Sequence, residues 1–315
     1  MIKFILLRIL MMIPLLLAVT VVIFTIMYFV PGDPVSIVSG AEVLTQEQLD
    51  TIRTTMGLNR PYHVRLLEYI GNVFLRLDFG SSYSTGVPVA SEIIRRLWNT
   101  VYIALLSLAY MVVLGIPIGV RAAVKANKAE DRISMFITLM LSSMPVFWFA
   151  LLVALLFSLR LGWLPSYGSA TFAHFVLPSL SSGLHVMAGV ARQTRSSMLE
   201  VIRSDYVTTA RSKGLRESGV IYGHALQNAL IPIITVCGNQ FGRMIGGVVL
   251  VETIFTIPGI GTYLLNGIQS RDYNMVQGCL IVIAFFTCTI MLITDVIYAY
   301  VDPRIRARYV RKRAG

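Results

Sequence analysis

A chain of 315 residues that is 56% hydrophobic and only 14% charged lies far below the roughly one-quarter charged fraction of soluble domains, which excludes a water-soluble globular protein. Several apolar runs approach the ~20 residues needed to cross a bilayer. The formal charge of +11 and three cysteines, all inside apolar runs, leave no basis for a disulfide framework or a zinc site.

In chain order, Lys3 and Arg8 precede the apolar run Ile9–Val30. That run exceeds the about 7–15 residues of a signal-peptide core. Pro31-Gly32-Asp33-Pro34 follows it instead of a small-residue cleavage site, so 1–30 is predicted to be an uncleaved first transmembrane helix. Segment 31–99 is the largest extramembrane piece. Within it, Thr45-Gln46-Glu47-Gln48 predicts a helix with Thr45 as N-cap and Gln48 closing a capping box, ending near Gly57. A second helix is predicted from about Pro61 to Leu75, with Val64, Leu67, Ile70, Val73 and Phe74 as its covering face. Asp78–Ser82 reads as a turn. Val87–Trp98 reads as a short amphipathic helix at the membrane interface, with Arg95 and Arg96 reaching headgroups.

Segment 100–300 is predicted to hold five more spans: Thr100–Val120, Ile133–Leu156, Phe175–Ala191, Leu230–Phe255 and Val276–Tyr300. Ser179, Ser181, Ser182 and His185 dilute the fourth. Basic residues concentrate in 1–8, 121–132, 192–216 and the tail 301–315, and the positive-inside rule then places both termini and both intervening loops in the cytoplasm. The net charge is therefore a cytoplasmic-surface signal and not a nucleic-acid one. The loop 121–132 is short and reads as topological.

The loop 192–228 is different. Asp205–Pro232 has helical spacing, a break at Gly214 and a second helical start near Ser218, predicting two short helices on the cytoplasmic face. In the fifth span Gly238, Gly242 and Gly246 recur every four residues, allowing close helix approach. This serves either a sliding interface along a pathway or packing within the chain. Arg243, Glu252 and Asp295 are intramembrane charges, each costly by ~2.5–3.5 kcal/mol on insertion scales. Arg243 and Glu252 are about 13 Å apart along one helix and cannot pair directly; each either lines a pathway or meets a structural partner. Asp295 is expected to be a structural anchor, and His185 a satisfied interior histidine.

No G-x-x-x-x-G-K-[ST] loop and no H-E-x-x-H occurs, so the chain has no recognisable machinery for hydrolysing nucleotides or for metal hydrolysis. A secondary transporter working alone would call for several interior acids and repeated halves, and a membrane enzyme for a nucleophile–base pair. Neither pattern is present.

The polar loop resembles the EAA loop of ABC-importer permeases. Gly214 falls at the motif glycine, Ala210 at its third position and Leu226 at the penultimate one, whereas Thr208, Thr209, His224 and Gln227 depart from the pattern. The stretches Arg192–Glu200, Asp205-Tyr206-Val207, Thr209–Leu215, His224-Ala225-Leu226, Pro258-Gly259-Ile260-Gly261, Arg271-Asp272-Tyr273 and Asp302–Arg306 look like the dipeptide/oligopeptide/nickel branch of those permeases, in its first-permease (B) type.

The resemblance implies an all-α polytopic fold of six transmembrane helices, the type I importer permease, with a small helical extracytoplasmic segment. It implies a subunit of an ATP-driven importer for di- or oligopeptides, with nickel or another small solute as the alternative. The implied setting is a bacterial or archaeal plasma (inner) membrane. Implied partners are membrane lipids, a homologous second permease, two cytoplasmic ATPases that use ATP and Mg, and an extracytoplasmic solute-binding protein. This chain itself would bind no cofactor or metal and would hold no catalytic residue. A coupling helix is implied over about 204–213, with Ser204, Asp205, Tyr206, Thr209, Ala210, Arg211, Lys213 and Gly214 as ATPase-coupling residues. Gly238, Gly242, Arg243, Gly246 and Glu252 are candidates for the translocation path or the permease interface.

Overall fold

The computed structural model describes residues 2–30, 35 and 45–301; Pro31-Gly32-Asp33-Pro34 and the basic tail 302–315 lie outside the described residues. In chain order the helices are α1 (Ile2–Phe29), α2 (Gln46–Thr55), α3 (Tyr62–Arg76), α4 (Val89–Val124), α5 (Ala129–Ser143), α6 (Val146–Val153), α7 (Ala173–Ile202), α8 (Asp205–Ser212), α9 (Leu226–Ile254), α10 (Ile260–Gln269) and α11 (Tyr273–Val301). Among the described residues the β-structure is a single bridge between Ser81 and Pro88. The fold is all-α and polytopic, as expected.

Each predicted span coincides with helix, but not always in the predicted form. Ile5–Phe29, Val89–Val124, Gly219–Ile254 and Tyr273–Tyr300 are long and apolar enough to cross a membrane. The third span is broken: α5 and α6, the latter continued by π-helical turns to Arg160, meet at an angle of 105°. Pro145 explains this, because its ring disfavours helix at Met144 and it cannot donate a helical hydrogen bond; both residues are extended, with ψ near 135°. Val87–Trp98 is not a separate interfacial helix. It is the first part of the 36-residue α4, whose length of about 54 Å exceeds the ~30 Å hydrocarbon thickness. Arg95 and Arg96 both bind Glu92, at 2.7 and 3.0 Å. Ser218 likewise does not start a separate short helix: Gly219–Ala225 is π-helical and runs directly into α9.

The fourth span, α7, falls short of the apolarity that marks the others, and its packing shows why. Ser179, Ser181, Ser182, Thr194 and Ser197 on it are all buried. It packs against α5, α6 and α9, and Met111, Val120 and Ala123 of α4 share a core with its Val190 and Met198. A helix enclosed by protein has no need of a lipid-compatible exterior. Close approach is built in, since a Cβ on Gly119 of α4 would strike the Ala191 carbonyl and Thr194, and one on Gly183 would strike Ser107. Ser107 Oγ donates to the Ser179 carbonyl at 3.0 Å.

The chain divides into two compact units. The first comprises Met1–Arg8, Val101–Ile257 and Thr289–Gly315 and contains the α7-centred packing. Arg8 and Asp295 form an ion pair of 2.9 Å in it, consistent with a structural role for Asp295. The second comprises Ile9–Thr100 and Pro258–Cys288. Its core joins Val73, Phe79, Val89, Ile93, Tyr263, Leu264, Tyr273 and Cys279. The capping box at Thr45 and Gln48 is present, and α3 follows Pro61 as expected. The covering face of α3 differs in one place: Leu67 is 68% exposed, while Tyr62 and Tyr69 take the contact by packing on Phe24.

This unit also holds a polar clamp. Fully buried Asp272 accepts from Ser82 Oγ at 2.7 Å, from Ser84 N and Oγ at 3.2 and 3.3 Å, and from Met275 N at 3.2 Å. Beside it, burial above all pushes the Tyr83 phenol up to about 12, so it remains a donor to Asn274 Oδ1 at 3.4 Å.

A Cβ on Gly238 of α9 would overlap Thr294 of α11, whereas Gly246 and Gly247 face open space. Gly238→Val is therefore expected to destabilise the subunit by about 1–3 kcal/mol through overpacking, and Gly246→Ala to leave it unchanged. Heating series read by size-exclusion of the expressed protein check this difference.

Candidate functional site

Two places bring together polar groups that the fold does not consume. The first is the loop following α7. Ser204 sits at the N-cap position of α8, which is only eight residues long. On it Val207 and Ala210, one turn apart, are buried in a core with Met198, Val220, Ile221 and Ala225. Asp205, Tyr206, Thr208, Thr209, Arg211, Ser212 and Lys213 are exposed. The short helix is thus held on its inner side by two small or branched apolar residues and presents everything else outward. Gly214 follows with φ of +75°, a left-handed conformation that costs an L-residue with a side chain roughly 1–2 kcal/mol. No atom stands within 4 Å of where its Cβ would be, so the requirement is conformational and not steric.

Across that turn Arg211 grips Glu217 with two hydrogen bonds, of 3.1 and 2.8 Å. This guanidinium holds the Glu217 carboxyl below its usual range.

The loop 125–128 is more than a topological connection. Asp131 on α5 is buried, at 3% exposure, and meets Arg195 of α7 in a bidentate pair of 2.6 and 2.7 Å. The backbone N–H of Asn127, at φ of +64°, donates to the same carboxylate at 2.9 Å. This pair ties the α4–α5 turn to the part of α7 that leads into α8. Sequence reasoning had no signal for it: the partners stand 64 positions apart, and Asp131 sits inconspicuously at the start of a helix.

The second place is a cavity of about 340 Å³ bounded by α5, α6, α7 and α9. Arg243 and Gln240 reach it from α9, Ser182, His185 and Arg192 from α7, and Ser142 from α5. Arg192 donates to Ser142 Oγ at 3.1 Å. Ser182 Oγ and His185 Nδ1 are buried without a hydrogen-bond partner, so His185 is not the satisfied interior histidine expected of it.

Arg243 also belongs to an exposed line along α9, with Thr235, Asn239, Gly246, Leu250 and Thr253. The two threonines satisfy themselves by donating to carbonyls one turn back. Glu252, in contrast, is wholly buried and does not reach the cavity, and Gly242 is buried beside Met291.

Replacing Asp131 with Asn is expected to cost about 1–3 kcal/mol, because a carboxylate with two charge-assisted bonds is lost from a largely buried pair. Exchanging the two residues, Asp131→Arg with Arg195→Asp, is expected to recover part of the loss. Thermal unfolding of the purified protein and its double variant measures both.

Comparison with known proteins agrees with this layout. Residues 115–307 match the family model described as binding-protein-dependent transport system inner membrane component, and residues 1–104 match the N-terminal model of the same transport-system membrane components. The chain is 39% identical to the glutathione transport system permease protein GsiC of Salmonella choleraesuis (97% of this chain, 99% of that one). It is 38% identical to the dipeptide transport system permease protein DppB of Alkalihalophilus pseudofirmus (95% and 98%). Among solved structures, an inward-facing conformation of the MetNI methionine ABC transporter superposes with a TM-score of 0.57 over 67% of this chain and 96% of that chain, at 19% identity. This last likeness concerns the fold alone.

Proposed function

The chain belongs to the family of binding-protein-dependent transport system inner membrane components and is a multi-pass permease subunit of an ABC importer, and on that premise we propose that it carries short peptides in partnership with a second, homologous permease. One observation carries the reading of its path. Mid-helix on α9, Asn239 and Arg243 share an exposed line, and neither side chain has a hydrogen-bond partner among the described residues. Arginine facing hydrocarbon is penalised by ~2.5–3.5 kcal/mol on insertion scales, so this face meets water or protein. A translocation path shared with a second permease provides both.

The peptide assignment is supported by the full-length likeness to permeases named for dipeptide and glutathione transport; glutathione is itself a tripeptide in composition. Energy enters from two cytoplasmic ATPases that hydrolyse ATP with Mg, since this chain carries no phosphate loop. An extracytoplasmic binding protein delivers the solute. The concentration of basic residues in 1–8, 121–132, 192–216 and 301–315 supports a cytoplasmic position for both termini and α8.

In this reading α8 is the coupling element. Val207 and Ala210 seat it on the permease, and Asp205, Tyr206, Thr209, Arg211 and Lys213 face the ATPase. Gly214 turns the chain sharply behind it, so that a push on α8 reaches α7 on one side and α9 on the other through short, packed connections.

The test uses the reconstituted complex with its binding protein. Tyr206→Ala, which removes an exposed aromatic of the kind enriched at interfaces, is expected to lower ATP-driven uptake by about tenfold. Gly214→Leu, which is open in space but strained in backbone, is expected to uncouple uptake from ATP hydrolysis. Unchanged coupling in both variants would remove the loop from the mechanism.

A further inference from the structure

We infer that the cavity between α7 and α9 is a carboxylate-binding subsite, which grips the C-terminal carboxylate of the solute as it crosses. The inference rests on the reading of this chain as a peptide permease and deepens it. Two arginines, Arg192 and Arg243, line the cavity, and no Asp or Glu is among its described lining residues. Neither arginine has an ion-pair partner among the described residues. A cation such as a metal ion or a free ammonium would be repelled, whereas an anion would be drawn in.

The uncharged groups agree with the charges. Ser182 and His185 are among the lining residues; Ser182 is only 3% exposed, and its hydroxyl and the Nδ1 of His185 are buried without a hydrogen-bond partner. A buried polar atom left unpaired costs roughly 1–3 kcal/mol, so its retention in a fold calls for a ligand or water that satisfies it. The Gln240 side chain lies across Gly189 of α7, in the space a Cβ there would occupy. This glycine therefore admits a hydrogen-bonding amide that any larger residue would displace.

The chemistry of the set is specific. A guanidinium presents paired N–H donors that match the two oxygens of a carboxylate, and the hydroxyl and amide groups add single donors around it. A volume of about 340 Å³ corresponds to roughly ten waters at ~30 Å³ each, enough for the terminal residue of a peptide but not for a long one. No acid is among the described lining residues to receive the peptide's ammonium end, so the orientation is set by the carboxylate.

The experiment measures ATP-driven uptake into proteoliposomes holding the complete complex and its binding protein. The probes are radiolabelled dialanine and its C-terminal amide. Arg243→Gln is expected to lower dialanine uptake by about tenfold, the loss of one charge-assisted contact. Uptake of the amide, relative to the unmodified complex, is expected to change by less than about twofold, and dialanine uptake by Arg243→Lys, which keeps the charge but not the paired N–H donors, to fall between that of the unmodified complex and that of Arg243→Gln. Equal loss for both probes, equal loss in the Lys and Gln variants, or no loss at all would overturn the subsite. Should Arg243→Gln fail to assemble, Arg192→Gln is judged by the same ratios.

Failure of the peptide reading itself is separately visible, as a wild-type complex that carries neither probe. The ligand that co-purifies with the binding protein then replaces dialanine. The variant ratio for that ligand and its carboxylate-blocked form decides the subsite.

Discussion

The first unit is organised around a helix that cannot face lipid. Along α7, serine and threonine recur where a membrane helix would ordinarily show leucine, and five of them are buried. Such a helix is stable in a bilayer only when other helices surround it and keep its polar side chains away from lipid. The neighbouring features follow from that demand. Glycines 115 and 119 on α4 and 183 on α7 bring backbones close enough for Ser107 to reach the Ser179 carbonyl. The 105° break at Met144-Pro145 lets α5 and α6 each lie against a different part of the same helix. At one stretch the enclosure leaves donors over, and there the cavity with Arg243 and Arg192 opens.

The same helix connects that cavity to the place where we propose energy enters. Its last turns carry Arg195, locked to Asp131, and lead through Ser204 into α8, whose Val207 and Ala210 share a core with Met198 on α7 and Val220 ahead of α9. Movement of α8 therefore cannot be absorbed locally, because a packed core yields by shifting whole elements and not by compressing. The second unit has its own internal fastening in Asp272, whose carboxylate gathers the turn Ser82–Ser84 and the start of α11.

Much of this was legible in the sequence where the signal is local or statistical. The Thr45–Gln48 capping box and the Gly214 break rest on neighbours within a turn, and the structure places a helix start and a positive φ where those patterns predict them. What was not legible depends on partners distant in sequence or on continuity between elements. Asp131 gains meaning only from Arg195. The bend at Pro145 was hidden inside a run apolar enough for a single span, although Ser142-Ser143-Met144-Pro145 carried the clue. The short helix predicted over Val87–Trp98 and the one predicted to start near Ser218 were separated from the spans that follow, yet the backbone continues as helix from each into its span. Leu67 looked like a covering residue by spacing, but the tyrosines of α3 took the contact.

We propose that the polar line of α9 faces an aqueous or protein-lined path and not lipid. Single cysteines at Thr235, Asn239 and Gly246, introduced after replacing Cys237, Cys279 and Cys288, test this in the assembled complex by reaction with a charged, membrane-impermeant thiol reagent. Val113 and Leu155, both exposed and apolar, serve as lipid-facing references. The α9 positions are expected to react in at least one of the ATP-bound and nucleotide-free states, at rates that change between them, while the references stay inert. Cysteines on α9 as unreactive as those at Val113 and Leu155 in both states would contradict it.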